Sequence, residues 1–159
     1  MLKPLGTVAA GEWLQVEGGG FARVCCVVLS PITSDSSELF TVGPIAGITA
    51  WHPVRLRGAW HFPSICGQLC ECSASHMVNI VLAPKSGAYE PLLVDGIPCV
   101  TLGHGLTEHG AAHGFWGTRR VLDALSAHEG WRSGRIVLAA PLRDPHATMQ
   151  WNARTFNAA

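Results

Sequence analysis

The sequence predicts a single, mostly β domain built from many short strands. The 159 residues include 18 glycines and 10 prolines, and turn-forming residues at this frequency favour short strands over long helices. Hydrophobic residues make up 48% of the chain and charged residues 14%. This composition can fill one hydrophobic core and excludes a disordered chain, which requires low hydrophobicity and high charge.

Strand signals follow one another along most of the chain. Residues 13–16 alternate between apolar and polar, and a glycine turn then leads to a segment rich in valine and cysteine, which predicts a hairpin. Residues 31–37 form a polar loop. The segment 45–49 leads to His52, which Pro53 should keep extended. The predicted strands cover residues 13–16, 21–29, 39–42, 54–56, 60–62, 77–82, 92–94, 97–102 and 136–138.

The hairpin with the strongest signal lies at residues 92–102. Asp95 and Gly96 separate its two strands, and Asp-Gly suits the positive backbone angles of a type I′ turn. Pro98 lacks a backbone N–H, which predicts an edge strand or a bulge at this point.

One helix is predicted near the end of the chain. Thr118 is a suitable N-cap, Val121, Leu122 and Leu125 lie at helical spacing, and Gly130 is the expected stop. We therefore predict one domain over residues 1–142 and a polar, loosely ordered tail over residues 143–159.

Charge and cysteine usage narrow the class of protein further. Lysine plus arginine and aspartate plus glutamate each number 11, so the basic surface of a nucleic-acid-binding protein is not expected. No segment has the apolar length of a membrane span or of a secretory signal. The six cysteines are few for a disulfide scaffold. We expect a cytoplasmic monomer with reduced thiols.

Two clusters could suggest a metal site. Cys66, Cys70 and Cys72 lie between His61 and His76, but their spacing is not that of a common zinc knuckle. The second cluster, His109 and His113, has the i, i+4 spacing of helical metal ligands, although the glycines that follow each of them disfavour a helix. We predict no metal and no cofactor, with a small zinc-binding β domain as an alternative.

Six segments resemble, in the same order, motif blocks of Hint domains, the self-processing modules of inteins and Hedgehog-type proteins. The first resembles V-x-x-G-D-x-V, with Glu12 in place of Asp, and the second resembles L-T-x-x-H-P-V. The last, Cys99 to His104, resembles the C-x-T-L-G-H run of Hint domains linked to von Willebrand type A proteins. The segments are residues 8–14, 48–54, 58–63, 78–82, 92–97 and 99–104.

This resemblance implies a Hint-like fold of many short antiparallel strands with one C-terminal helix, and it implies autocatalytic cleavage. In such domains a Cys or Ser attacks the carbonyl of the preceding residue, and the amide becomes a thioester or ester. His52 would be the proton donor to the leaving nitrogen, and Thr49 the hydroxyl that polarises the strained peptide. An isolated T-x-x-H pair would be more simply explained as a histidine capped by threonine.

Three further residues are candidates for the site. Asp95 could assist a later step, or it could serve only the turn. His104 lies between two glycines and could be a second catalytic or positioning histidine, or a loop residue with a structural hydrogen bond. Cys99 could lie near the site, or it could be an ordinary buried strand thiol.

The sequence also departs from the family pattern. The nucleophile is expected in a segment before Met1, so the partner would be the chain's own upstream polypeptide, and these residues alone would be inactive. Cys25 and Cys26 lie in a later strand and cannot replace it. Val100 and Thr101 occupy the positions where splicing inteins carry His-Asn, which favours Hedgehog-like cleavage over splicing. The alternative is a non-catalytic interaction module on the same fold.

Overall fold

A computed structural model of the chain describes residues 3–33, 38–72, 74–83 and 90–142. The tail expected at 143–159 lies outside the described residues, and so do residues 34–37 of the polar loop expected at 31–37. The elements are β1 (Trp13–Gln15), β2 (Phe21–Pro31), β3 (Leu39–Val42), β4 (Ile45–Thr49), β5 (Val54–Leu56), β6 (Ala59–His61), α1 (Pro63–Cys66), β7 (Gln68–Cys70), β8 (His76–Leu82), β9 (Leu92–Val94), β10 (Ile97–Cys99), α2 (Arg119–Ser126) and β11 (Arg135–Val137). Two 3₁₀ turns, Leu5–Thr7 and Glu129–Trp131, are also present.

The longest strand, β2, organises the first sheet. Its beginning pairs with β1 in the predicted hairpin, and the rest pairs with β8, both antiparallel. The short strand β11 pairs with Val27–Leu29 on the other side of β2 in parallel orientation. Val24, Val27 and Val28 are almost completely buried, and the apolar side chains around them form the two larger core clusters.

The second sheet contains the two predicted hairpins at 54–62 and 92–102, in the order β6-β5-β10-β9. Asp95 and Gly96 have φ angles of 48° and 80°, and Val94 pairs with Ile97 directly across the turn. This confirms the two-residue turn with positive backbone angles. Strand β10 lies between β9 and β5, but its pairing with β5 involves Cys99 alone, so Pro98 interrupts no ladder on that side.

The third sheet has the order β4-β3-β7 and contains elements that the sequence did not reveal. Residues 63–70, for which the sequence predicts no strand or helix, form α1 and then β7. Strands β3 and β4 form the hairpin around Gly43, and their register shifts between Phe40 and Thr41.

The predicted helix is present as α2. The side chain of Thr118 accepts a hydrogen bond of 3.3 Å from the backbone N–H of Arg120, a cap that contributes about 1 kcal/mol. Val121 and Leu125 are buried, and they pack in the same core cluster as Ile136 of β11. The helix ends at Ser126, earlier than predicted, and Gly130 lies in the 3₁₀ turn after it.

The mostly β fold is therefore confirmed, with two corrections. The pairing is not all antiparallel, because β11 runs parallel to β2, and α1 adds a second short helix. Within the described ranges, no helix is long and apolar enough to span a membrane.

Candidate active site

A pocket of about 560 Å³ opens between the first and third sheets, the segments that adjoin the second sheet and the segment that leads to α2. Strands β2 and β8 form one wall, the turn after β4 another, and the residues after β10 a third. The lining residues are Val28, Ser30, Thr33, Glu38, Thr49, Ala50, Trp51, His52, Pro53, Met77, Asn79, Val100, Thr101, Leu102, His104, Ala111, His113, Trp116, Pro141 and Leu142.

The turn at 49–53 brings Thr49 and His52 to this pocket. Strand β4 ends at Thr49, and the backbone N–H of His52 donates a 3.3 Å hydrogen bond to the carbonyl of Thr49, which closes the turn. Pro53 then starts the path into β5, so His52 is not helical, as the sequence predicts. The bend therefore places both side chains of the T-x-x-H motif against one cavity.

The ring of His52 is fixed by a single backbone contact. Its Nε2–H donates to the carbonyl oxygen of Val100 at 2.9 Å. Burial lowers the pKa of His52, and the hydrogen bond to Val100 partly opposes this effect. The ring is therefore neutral near pH 7, with its proton on Nε2 and a lone pair on Nδ1. That nitrogen is the atom of His52 that can accept a proton.

His104 is held more completely. Its Nδ1 accepts a 2.9 Å hydrogen bond from the backbone N–H of Leu106, and the ring also hydrogen-bonds the backbone of Ala111. The side chain is buried. Burial, followed by the proximity of His52 and His113, lowers the pKa of His104 to about 4.

Gly117 leaves room for the His104 ring. A Cβ added to Gly117 would stand 2.9 Å from Cε1 of His104 and 3.0 Å from its Nε2, distances that real Cβ atoms do not tolerate without displacement. The glycine therefore allows the segment at 114–117 to lie directly on the histidine ring. Backbone hydrogen bonds from Gly103 to Trp116 and from Gly105 to Gly117 tie the two segments together.

A third histidine, His113, also faces the pocket. Its Nδ1 accepts hydrogen bonds from the backbone N–H groups of Phe115 at 3.1 Å and Trp116 at 3.0 Å. In the neutral ring the proton is therefore on Nε2. Sequence reasoning considered His113 only as a metal ligand paired with His109. The sequence feature that could have identified His113 is the Gly-Phe-Trp-Gly turn that follows it, since the ring accepts hydrogen bonds from two backbone N–H groups of this turn.

Glu108 anchors the loop that carries these histidines. Its carboxylate accepts a 3.0 Å hydrogen bond from Nε1–H of Trp60 and lies 3.4 Å from the guanidinium of Arg55. Arg55 also pairs with Glu17 at 3.1 Å and lies over the ring of Trp60 at 4.8 Å. The β5–β6 hairpin thus fixes the middle of the loop.

Uncharged polar groups also line the pocket. Ser30 and Thr101 are both buried, and Asn79 lies on β8 beside them in the pocket wall. Together with Thr49 they supply hydroxyl and amide groups that can hydrogen-bond a peptide. The sequence motifs contained Thr101 and Asn79, but nothing in their pattern distinguished them from strand residues.

Two of the five candidate residues do not line the pocket. Asp95 is exposed in the β9–β10 turn, where its φ of 48° accounts for its presence. Cys99 is buried in a core cluster with Val42, Ile45 and Val54, and burial raises the pKa of its thiol to about 12. These positions agree with the alternative interpretations, in which Asp95 serves only the turn and Cys99 is an ordinary buried strand thiol. Thr49, His52 and His104 do share the pocket.

The cysteines lie outside the pocket. All six are in the described part of the chain and none lines the pocket. Burial, with a smaller effect of Cys25, raises the pKa of Cys26 to about 11. Among the residues with described positions, no three His, Cys, Asp or Glu side chains are grouped to hold one metal ion.

The comparisons with known proteins gave one result. A family model described as Vint: Hint-domain matches residues 2–150, which is most of the chain. A search of curated proteins found no match.

Proposed function

The chain belongs to the Hint-domain family, which makes it a domain of the self-processing type, and we propose that its pocket is where an upstream peptide bond is cleaved by an acyl shift. The observation that carries the proposal is the state of His52. Its Nε2–H is bound to the Val100 carbonyl at 2.9 Å, so Nδ1 is available to a reacting group beside Thr49. The C-x-T-L-G-H run further relates it to Hint domains linked to von Willebrand type A proteins.

The nucleophile is not one of the cysteines of these 159 residues. None of the six cysteines lines the cavity, and the buried ones have raised pKa values that disfavour the reactive thiolate. We therefore propose that a Cys or Ser of a preceding segment enters the pocket together with the bond to be cleaved. Because nucleophile and substrate belong to one chain, the reaction gains the advantage of an intramolecular attack.

His52 transfers the proton. Neutral Nδ1 takes the proton of the attacking thiol or hydroxyl, whose sulfur or oxygen then bonds to the carbonyl carbon. The ring then gives this proton to the amide nitrogen as the C–N bond breaks, which leaves a thioester or ester. Burial lowers the pKa of His52, which makes its protonated form a stronger acid toward a poor leaving group.

Hydroxyl groups assist at the carbonyl. Thr49 lies at the end of β4, three residues before His52, and Thr101 is buried in the wall formed by the residues after β10. Either hydroxyl can donate to the oxygen that gains negative charge during the attack. The variants Thr49→Val and Thr101→Val test this role, because valine keeps the shape of threonine and removes the hydroxyl donor. Loss of a contributing hydroxyl should slow cleavage.

The second step is hydrolysis of the ester or its transfer to a small nucleophile. Splicing by asparagine cyclisation needs His-Asn after the β9–β10 hairpin, and this chain has Val100 and Thr101 there. Val100 instead supplies the carbonyl that orients His52. This position therefore supports cleavage without ligation.

The test is expression of this chain together with the segment that precedes it in its reading frame, with a tag at each end. We expect two fragments, and hydroxylamine should increase cleavage by trapping the thioester or ester. His52→Ala should abolish both effects, whereas His109→Ala, a change at an exposed histidine outside the pocket, should leave them unchanged. The 159 residues alone should remain one fragment.

Two results would contradict the proposal. One is an extended chain that folds and yields neither fragments nor a trapped ester, which would favour a non-catalytic interaction module. The other is cleavage at the normal rate in His52→Ala, which would remove His52 from the chemistry.

A further inference from the structure

Two cysteines lie together at the end of β7, apart from the pocket. Cys70 is the last residue of that strand and pairs with Leu39 of β3, and Cys72 comes two positions later. Cys70 is half-buried and Cys72 is exposed. Neither residue lines the pocket, so the chemistry of this cysteine pair does not depend on the proposed cleavage.

A bulge in β4 makes room for the second sulfur. Phe40 pairs with Ile48 and Thr41 with Ala46, which leaves Gly47 as the extra residue, with a φ of 80°. A Cβ on Gly47 would stand 3.4 Å from Sγ of Cys72. Any other residue would be strained at this backbone angle, and its Cβ would lie in van der Waals contact with the sulfur. The bulge thus allows Cys72 to lie over the sheet, next to Cys70.

The surroundings of Cys70 favour its thiolate form. Hydrogen bonds from the side chains of Cys72 and Thr41 lower the pKa of Cys70, with smaller contributions from the backbone of Cys72 and Gly47 and against an opposing effect of burial. The same contact with Cys70 raises the pKa of Cys72. The Cys70 sulfur is therefore the better nucleophile of the two.

We propose that Cys70 and Cys72 form a thiol–disulfide exchange site for low-molecular-weight disulfides. The Cys70 thiolate attacks one sulfur of the disulfide RSSR, which forms a mixed disulfide and releases RS⁻. The Cys72 thiol passes its proton to that thiolate, and its sulfur attacks Cys70 and expels the second RS⁻. Two electrons pass from the protein to RSSR, and the protein gains an intramolecular disulfide.

The experiment uses the full chain and oxidised glutathione as the probe. Iodoacetamide labelling at pH 7, followed by peptide mass spectrometry, gives the reaction rate of each cysteine. Cys70 should react several-fold faster than Cys25 and Cys66, which are more exposed, because thiolate fraction and not access limits the rate. Treatment with oxidised glutathione should yield a Cys70–Cys72 disulfide, seen as the loss of two hydrogens in intact mass.

Variants separate the two roles. Cys72→Ser should stop the reaction at a glutathione adduct on Cys70, and Thr41→Val should slow labelling of Cys70 while leaving Cys25 unchanged. Cys66→Ser is the matched control and should still form the disulfide. The proposal is overturned if Cys70 reacts no faster than Cys25 and Cys66, or if folded protein treated with oxidised glutathione forms no Cys70–Cys72 disulfide.

Discussion

The turn at 49–53 and the loop at 103–117 both bring a histidine to the same pocket, but they leave the two rings in different states. The Nε2–H of His52 donates a hydrogen bond to the Val100 carbonyl, and its Nδ1 keeps a lone pair that can accept a proton. His104 uses Nδ1 for the Leu106 N–H and also hydrogen-bonds the backbone of Ala111. The first ring can exchange a proton, and the second cannot do so without breaking the loop.

This contrast is the basis on which we propose one histidine as catalytic and the other as positioning. Both histidines line the cavity, and burial lowers the pKa of both, so neither location nor pKa direction distinguishes them. What distinguishes them is the number of ring nitrogens that hydrogen-bond the backbone. On this criterion we propose that His104 holds the loop of His113 and Trp116 in place and that His52 acts on the substrate.

The largest expected effect is on stability at low pH. His104 is protonated below its ordinary pKa of 6.5 in the unfolded chain but stays neutral in the fold down to about pH 4. The unfolded state therefore binds more protons in this window. The free energy of unfolding should fall as the pH falls from 6.5 towards 4, by up to about 3 kcal/mol from His104, and His52 adds to it in the same direction.

Urea unfolding at pH 7 and pH 5 measures this loss. The matched variant is His104→Asn, whose amide oxygen can still accept the Leu106 N–H but does not titrate. The variant should lose less stability than the natural chain between the two pH values. An equal loss in both proteins would contradict the assignment of His104 as a buried, neutral positioning residue.

The next effect comes from filling the space beside the His104 ring. Gly117→Ala places a Cβ 2.9 Å from Cε1 of His104 and should lower the free energy of unfolding by about 1–3 kcal/mol. Gly114→Ala is the control, because no atom lies within 4 Å of a Cβ there. Equal melting temperatures for the two variants would show that the loop does not rest on His104.

Local and long-range contacts differ in how far the sequence alone predicts them. Hairpins and α2 were predictable because their signals are local: a glycine turn, an Asp-Gly turn and a Thr118 cap. The parallel pairing of β11 with Val27–Leu29 joins segments about a hundred positions apart in the chain, and no local pattern encodes such a contact. The same limit applies to β7, which is a strand only through its pairing with β3.

The residues of the candidate site also differ in how far the sequence alone predicts them. The T-x-x-H-P motif located Thr49 and His52, because a short turn carries both residues. His113 and Thr101 line the same pocket only because the chain after β10, including the 103–117 loop, packs beside the turn at 49–53, so spacing did not single them out. Asp95 and Cys99 lie in segments that resemble Hint motifs, yet Asp95 is at a turn and Cys99 is in the core.

The smallest effect is expected at Asp95. Asp95→Asn keeps a residue that tolerates the φ of 48°, and the free energy of unfolding should change by less than about 0.5 kcal/mol. Cleavage of the extended chain should continue at its normal rate, as followed by gel densitometry. A marked loss of cleavage would instead assign Asp95 a part in a later step and would extend the site beyond the pocket.

The most direct measurement of the central claim is the tautomer and titration of each histidine by ¹H–¹⁵N NMR on the folded chain. We predict that at pH 7 His52 is neutral, with its proton on Nε2 and a lone pair on Nδ1, and that its pKa lies below the ordinary value. His104 should remain neutral until about pH 4. A His52 ring that carries its proton on Nδ1, or that is protonated at pH 7, would contradict the account.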